Sequence, residues 1–227
     1  MTDSVPVITL DGPSGVGKGT ICARLGSELG WHILDSGSLY RLVALVASRL
    51  DVLDKTAQLV EIAENLDVKY VADRAELKVF LGAEDVTDSI RREEIGVMAS
   101  RIAVVPELRQ ALLARQRAFA QPPGLVADGR DMGSAVFPQA SLKIFFTASQ
   151  DVRAKRRYKQ LKDKGIDANL PQLVIELKQR DERDSSRTAS PLVAAADAVT
   201  IDTTSLNVDE VFIEVMQLVD QRFKNCC

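Results

Sequence analysis

A nine-residue segment near the N-terminus, GPSGVGKGT at 12–20, constrains the fold of this chain more than any other feature. It follows a short apolar stretch at 5–10 that is typical of a buried strand, and it leads into a segment at 19–29 with helical periodicity. Glycines let such a loop curl until successive backbone N–H groups point inward, and the helix start adds the positive end of a dipole. The sequence therefore predicts a polyphosphate site in a strand–loop–helix unit.

The loop also carries a lysine and a hydroxyl of the kind that nucleotide chemistry uses. Lys18 lies where a lysine reaches the β and γ phosphates of a nucleotide. Gly19 occupies the usual Ser or Thr place and Thr20 follows, so we expect Thr20 to approach Mg²⁺ through water. A glycine-rich turn without a ligand is the alternative, and the agreement of strand, loop, lysine and helix argues against it. The predicted ATP-binding residues are Gly12, Pro13, Ser14, Gly15, Val16, Gly17, Lys18, Gly19 and Thr20.

Strand and helix patterns alternate along most of the chain. Short apolar stretches at 32–34, 125–127, 142–147 and 198–201 indicate strands, and residues 37–50 have helical periodicity. Such alternation is typical of a parallel sheet that is covered on both faces. The chain is therefore predicted to have an α/β fold.

Residues 68–86 interrupt the alternation. Their short alternating segments indicate a small antiparallel meander, and two helices are expected after it, at about 89–104 and 106–119. We interpret the meander as an insertion into the α/β fold.

Charge and composition exclude several classes of protein. The net charge of −3 argues against a surface built to hold a nucleic-acid polymer, and three cysteines, two of them adjacent, make no disulfide or metal framework. No signal-peptide pattern and no run of 18 apolar residues occurs. We expect a cytoplasmic protein with no membrane partner, and the charge balance favours a monomer.

A polar segment, DSGSLYR at 35–41, follows the second predicted strand. Ligands of open parallel sheets bind beyond the carboxyl ends of the strands, so Arg41 is expected to face a bound anion. The alternative is that Asp35 or Ser36 only caps the following helix and that Arg41 is a surface charge.

A second polar segment, DGRD at 128–131, follows the next strand. Asp128 is placed like the acid that holds the Mg²⁺ shell in other phosphate-loop proteins, through water. Arg130 and Asp131 are expected to project toward the ligand, and a salt bridge within a turn is the alternative.

Residues 151–187 are basic, with eleven Lys and Arg against seven Asp and Glu. Arginines recur there at helical spacing, and such a face is usually only solvated. Beside a phosphate loop the pattern favours a mobile lid that neutralises migrating charge and excludes water. The residues concerned are Arg153, Arg156 and Arg157 in one stretch, and Arg180, Asp184 and Arg187 in the next.

No evident catalytic base accompanies these arginines. The only histidine, His32, lies beside Trp31 before a short strand and is expected to be structural. Transfer to an alcohol usually needs a base, whereas a phosphate monoester is already largely dianionic at neutral pH. The residue set therefore favours a phosphate acceptor.

Taken together, these segments resemble one family, the bacterial cytidylate (CMP/dCMP) kinases of the nucleoside monophosphate kinase group. The resemblance spans nearly the whole chain, and DGRDMG and the RDxRDxxR pattern are its more specific parts. The matching segments are GPSGVGKGT, DSGSLYR, RQRAF, LVADGRDMGSAVFP, RAKRR, QRDERDSSR and SPLVAAADA.

The resemblance implies a P-loop NTP hydrolase-like fold: a five-stranded parallel sheet with helices on both faces, a small antiparallel insert in the acceptor domain, and a helical lid. It implies transfer of the γ-phosphoryl group of ATP to CMP or dCMP, with Mg²⁺. The implied organisation is a single domain over 1–227, with a core at 1–62, 103–150 and 188–227, a nucleotide-binding insert at about 63–102 and a lid at about 151–187.

The resemblance also implies roles for individual residues. Lys18 and the lid arginines Arg153, Arg156 and Arg157 would stabilise the transferring phosphoryl group, without a choice among the three. Arg41 and Arg130 would hold the CMP phosphate with Arg187 nearby. The remaining implied CMP-binding residues are Ser36 at the sugar and base, Arg180 and Asp184 at the ribose, and Ser100, Arg109 and Asp131 at cytosine.

Two other functions stay open at this point. One is a kinase of another small acceptor such as shikimate, with Asp35 as base and the arginines on a carboxylate. The other is a nucleotide switch or ATPase-driven binding module, against which the two arginine-bearing segments of this chain argue.

Overall fold

Eight strands form two sheets in the computed structural model, which describes residues 5–73, 76–163, 165, 167–186 and 191–223. One sheet has five strands in the order β2-β6-β1-β7-β8, and the recorded pairings β2–β6, β1–β7 and β7–β8 are parallel. The other is antiparallel, in the order β3-β4-β5. The strands are β1 (Val7–Asp11), β2 (His32–Asp35), β3 (Val68–Asp73), β4 (Glu76–Leu81), β5 (Glu84–Asp85), β6 (Leu125–Asp128), β7 (Leu142–Thr147) and β8 (Val199–Asp202).

These sheets confirm the α/β fold, the five-stranded parallel sheet and the antiparallel insert that the sequence predicted. The helices are α1 (Lys18–Leu29), α2 (Ser36–Arg49), α3 (Thr56–Glu64), α4 (Thr87–Arg91), α5 (Glu93–Ile102), α6 (Pro106–Ala118), α7 (Gln150–Asp163), α8 (Leu170–Ser185) and α9 (Val208–Phe223), with a short π-helix at Met132–Val136. None of the helices in the described ranges is both long and apolar enough to cross a membrane.

The chain divides into two compact units. The first unit comprises Met1–Val7 and Cys22–Gly129, and the second comprises Ile8–Ile21 and Arg130–Cys227. The predicted boundaries of core, insert and lid stay a prediction.

In the first unit, β6 is buried along its whole length, because its apolar residues are covered on both sides. Helices α2 and α5 pack together, as do α3 and α6. The fully buried side chains of α2, among them Leu39 and Leu42, form a stripe at helical spacing that faces this core.

One expectation for this unit was wrong. The single helix predicted at about 89–104 is two helices, α4 and α5, separated by Arg92, whose backbone is extended with φ −58° and ψ 144°. The break leaves the carbonyl groups of Ile90 and Arg92 available to Arg41, whose Nη1 donates to them at 2.6 and 3.3 Å. A distant arginine thus pairs with the carbonyl group of Ile90 at the break, and it shares the carbonyl group of Arg92 with the backbone N–H of Gly96, which lies 3.1 Å away.

In the second unit, strands β7 and β8 are the scaffold behind the phosphate loop. Phe146 is among the largest fully buried side chains, and its backbone carbonyl lies where a Cβ atom at Gly12 would stand. Gly12 also has a φ of 142°, which an L side chain rarely adopts. Both constraints require glycine at the start of the loop.

Candidate functional site

The phosphate loop follows β1, and glycines shape its backbone. Gly15 and Gly17 have φ of 83° and 100°, which glycine tolerates without strain. The buried Lys18 donates from Nζ to the carbonyl oxygens of Gly12 and Pro13, each at 2.9 Å. The lysine is thereby held against the loop that is predicted to bind phosphates.

Arg130 connects this loop to helix α8 within the second unit. Its Nη2 donates to Oγ of Ser14 at 2.8 Å, and its Nε donates to Oδ2 of Asp184 at 2.9 Å. Asp184 is 1% exposed, and the guanidinium of Arg130 is mostly buried, so this ion pair is shielded from solvent. The DGRD segment is therefore joined to residues far away in sequence, in the phosphate loop and in α8.

Arg153 of α7 also contacts the loop. Its Nη1 donates to the carbonyl oxygen of Ser14 at 3.1 Å, and its Nη2 pairs with Oδ2 of Asp181 at 2.6 Å. Gly15 packs against the same arginine, because a Cβ atom there would lie 3.1 Å from Cβ of Arg153. The buried Arg153 is thus part of the wall behind the loop and not a solvated charge.

Arg156 reaches the turn that follows β8. Its Nη1 donates to Oγ1 of Thr203 at 3.0 Å and its Nη2 to the carbonyl oxygen of Leu206 at 3.1 Å. Thr203 is fully buried and also lies within hydrogen-bond distance of the carbonyl oxygen of Val16, so it links this turn to the loop. Arg157 and Arg180 are partly exposed, and Arg187 lies outside the described residues.

The first unit contains four other residues that the resemblance implied: Ser36 and Arg41 from α2, Ser100 from α5 and Arg109 from α6. Ser36 Oγ accepts a hydrogen bond from Nε2 of Gln116 at 2.8 Å, and both residues are buried. Ser100 is 6% exposed, and its Oγ has no hydrogen-bond partner within the described part of the chain. A buried hydroxyl without a partner is costly, so Ser100 favours a polar ligand group beside it.

Asp35 confirms the expectation of a cap at the start of α2, since its Oδ1 accepts from the backbone N–H of Ser38 at 3.0 Å. Tyr70 of β3, to which the sequence analysis gave no role, fastens the antiparallel sheet to this cap. Its hydroxyl lies 2.6 Å from Oγ of Ser38 and 3.1 Å from the carbonyl oxygen of Asp35. Burial raises the pKa of this tyrosine far above its ordinary value, so the hydroxyl keeps its proton and can donate it.

Gly96 leaves the space that the guanidinium of Arg41 occupies. A Cβ atom at this position of α5 would stand 2.7 Å from Nη2 of Arg41. Because the obstructed group is the far end of a flexible side chain, a larger residue would displace the arginine and leave the helix intact.

Gly96→Ala is therefore expected to raise the Michaelis constant for the acceptor about tenfold, because Arg41, which is predicted to bind the acceptor phosphate, loses its position. The melting temperature is expected to change by no more than a few degrees. Steady-state kinetics and thermal unfolding check this. Val97→Ala, an exposed position on the same helix, is the matched control. An unchanged Michaelis constant for Gly96→Ala would show that Arg41 does not hold the acceptor.

Two residues were predicted to hold Mg²⁺ through water, Asp128 at the end of β6 and Thr20 in α1. Among the described residues, no group of three or more His, Cys, Asp or Glu side chains is arranged to hold a metal ion by itself. Carboxylate and hydroxyl oxygens are each of the ligand type that Mg²⁺ takes, and the ion keeps several waters and takes further ligands from substrate phosphates, so two such residues stay a prediction for its water shell.

Known proteins similar to this chain give a consistent result. The family model described as "Cytidylate kinase" matches residues 8–221. A cytidylate kinase from Aeromonas salmonicida (strain A449) is 54% identical over 98% of this chain and 97% of its own length. Another, from Klebsiella pneumoniae (strain 342), is 49% identical over 98% of both chains. A solved gluconokinase from Sinorhizobium meliloti 1021 covers 98% of this chain and 96% of its own at 15% identity and a TM-score of 0.48, too remote to bear on function.

Proposed function

Because this chain belongs to the cytidylate kinase family, we propose that it transfers the γ-phosphoryl group of ATP to CMP or dCMP, giving ADP and CDP or dCDP. The observation that carries the proposal is the bond between Arg130 and Ser14. It joins an arginine that would hold the acceptor phosphate to the loop that would hold the donor phosphates.

The chemistry of transfer needs positioning and charge stabilisation more than proton removal. The phosphate of CMP has a second pKa near 6 and is a competent nucleophile at neutral pH without a base. Lys18 and the arginines of α7 would follow and stabilise the charge of the moving phosphoryl group. Asp128 and Thr20 would hold the water shell of Mg²⁺, which supplies positive charge to the phosphates of ATP when it is bound.

The acceptor residues divide into a phosphate group and a base group. Arg41, Arg130 and Arg187 would bind the phosphate of CMP, because guanidinium groups pair with phosphate oxygens through two parallel hydrogen bonds. Arg180 and Asp184 would contact the ribose. Cytosine offers an amino donor at C4 and acceptors at N3 and O2, so Asp131 would accept from the amine while Ser100 and Arg109 donate.

The test is an acceptor panel. With Mg-ATP, the enzyme is expected to release ADP rapidly only with CMP and dCMP, and at least about tenfold more slowly with UMP, AMP or shikimate. ADP is measured by a coupled assay, and the phosphorylated product by chromatography. Rapid transfer to shikimate would favour the small-acceptor kinase, and ADP release without any acceptor would favour the switch; either result overturns the proposal. Excess EDTA is expected to abolish turnover.

The proposal includes a monomer in the cytoplasm with ATP, CMP and dCMP as its partners. Sedimentation of the purified protein at assay concentration measures the oligomeric state.

A further inference from the structure

Asp11, the last residue of β1, has no role in the function proposed above. It is 6% exposed, and its two carboxylate oxygens accept hydrogen bonds from consecutive backbone N–H groups, Met132 at 2.8 Å and Gly133 at 2.7 Å. Asp11, next to the phosphate loop, thus holds the start of the π-helix that follows DGRD through two hydrogen bonds.

The turn formed by DGRD and the start of this π-helix carries the residues that would recognise the acceptor. Arg130 and Asp131 directly precede Met132, and the carbonyl oxygen of Asp131 accepts from the N–H groups of Ala135 and Val136 at 2.9 and 3.2 Å. These backbone hydrogen bonds hold the turn together, so a shift of the turn also shifts the side chains of Arg130 and Asp131. Asp11 fixes the position of the turn relative to β1.

The turn also has no freedom to approach β1 more closely. A Cβ atom at Gly133 would stand 2.8 Å from Oγ1 of Thr9 and 3.2 Å from the side chain of Lys143. Thr9 is fully buried, so it has no space into which to withdraw. The hydrogen bonds to Asp11 hold the turn against β1, and contact with Thr9 limits how closely the turn approaches the strand.

The energetics of Asp11 favour a role in positioning over a role in stability. Burial raises its pKa to about 6, in spite of the two N–H donors, and the charge of Asp131 raises it further while Lys18 lowers it. A carboxyl whose pKa is higher in the folded chain than in the unfolded chain contributes less stability as the pH rises from about 4 to 6. At neutral pH the ionised group is thus a net cost, and strained or costly groups of this kind cluster at functional sites.

We propose that Asp11 is a positioning residue for the acceptor, which sets Arg130 and Asp131 in register with the phosphate loop through the N–H groups of Met132 and Gly133. The inference rests on the proposed function. It concerns a residue that does not touch either substrate and acts through the backbone of the turn.

Asp11→Asn tests it, because the shape is kept while one oxygen becomes an NH₂ group that faces a backbone donor. We expect kcat/KM for CMP to fall by about 10- to 100-fold, since misplacement of about 1 Å costs this much, and the preference for CMP over UMP to fall several-fold. The dissociation constant of ATP, measured without CMP, is expected to stay within about threefold. A purely structural role predicts the opposite pattern: a lower melting temperature with unchanged kinetics per folded molecule.

Ile8→Val is the matched control, because it alters a fully buried side chain on the same strand that has no part in holding the turn. It is expected to keep wild-type kinetics. Gly133→Ala is expected to push the turn away from β1 while Asp11 stays intact. It is therefore expected to reproduce the kinetic pattern of Asp11→Asn, and it tests the inference even if Asp11→Asn does not fold.

Three outcomes decide between the two proposals. Wild-type protein that does not phosphorylate CMP overturns the proposed function and not the inference about Asp11. Active wild type with an unchanged CMP over UMP preference in both Asp11→Asn and Gly133→Ala overturns the inference. A loss of ATP affinity equal to the loss for CMP overturns it as well, because the effect then lies in the loop itself.

Discussion

Lys18→Ala is expected to lower kcat by about three orders of magnitude while the affinity for CMP stays within about threefold. Lys18 Nζ now rests on the carbonyl oxygens of Gly12 and Pro13, from which it can shift to the phosphates as their charge develops. Removal of a single preorganised charge or donor that acts in the transition state costs about 10²- to 10³-fold, and the residues that would bind CMP are not altered.

Single-turnover kinetics measure the chemical step of this variant, and calorimetric titration measures its affinity for CMP. Lys178→Ala, an exposed lysine on α8, controls for the loss of one positive charge. The two loop carbonyl groups lose a donor in Lys18→Ala, so a small drop in stability, about 1 kcal/mol, is expected beside the kinetic effect. A kcat of Lys18→Ala within tenfold of wild type would show that Lys18 does not stabilise the transition state of phosphoryl transfer.

The phosphate loop and the strands were predictable because their signals are local. The four glycines of the loop predict a curled backbone, and the structure has positive φ at Gly12, Gly15 and Gly17, whereas Gly19 lies in α1. The apolar stretch at 142–147 is the whole of β7, with no residue added or lost. Each of these features depends on a few adjacent residues, which sequence alone displays.

The missed features depend on pairs that are far apart in the chain. Asp11 meets Met132 across more than a hundred residues, and Gln116 meets Ser36 across eighty. The break at Arg92 also involves a distant residue, because the carbonyl group of Ile90 accepts a hydrogen bond from Arg41. Helical periodicity continues through residues 89–104, so no local pattern reveals the interruption. A partial signal existed only for Asp11, a carboxylate at the carboxyl end of a buried strand.

Asp131→Ala is expected to lower the preference for CMP over UMP, expressed as the ratio of their kcat/KM values, by about 100-fold. The carboxylate would accept from the C4 amine of cytosine, whereas uracil presents an oxygen there and would be repelled. Loss of a charge-assisted hydrogen bond in a buried site removes about 1.5–3 kcal/mol of discrimination. Competition between the two nucleotides in one reaction measures the ratio directly, and an unchanged ratio would refute base recognition by Asp131.

Asp131→Asn separates recognition of the base from damage to the turn. The backbone bonds from Ala135 and Val136 to the carbonyl oxygen of Asp131 do not involve the side chain, so this isosteric change keeps the turn. An amide can donate to O4 of uracil, and the rate with UMP is therefore expected to rise while the rate with CMP falls. Damage to the turn would lower both rates, as expected for Asp11→Asn. A higher rate with UMP together with a lower rate with CMP would thus show that the side chain of Asp131 itself lies at C4 of the base.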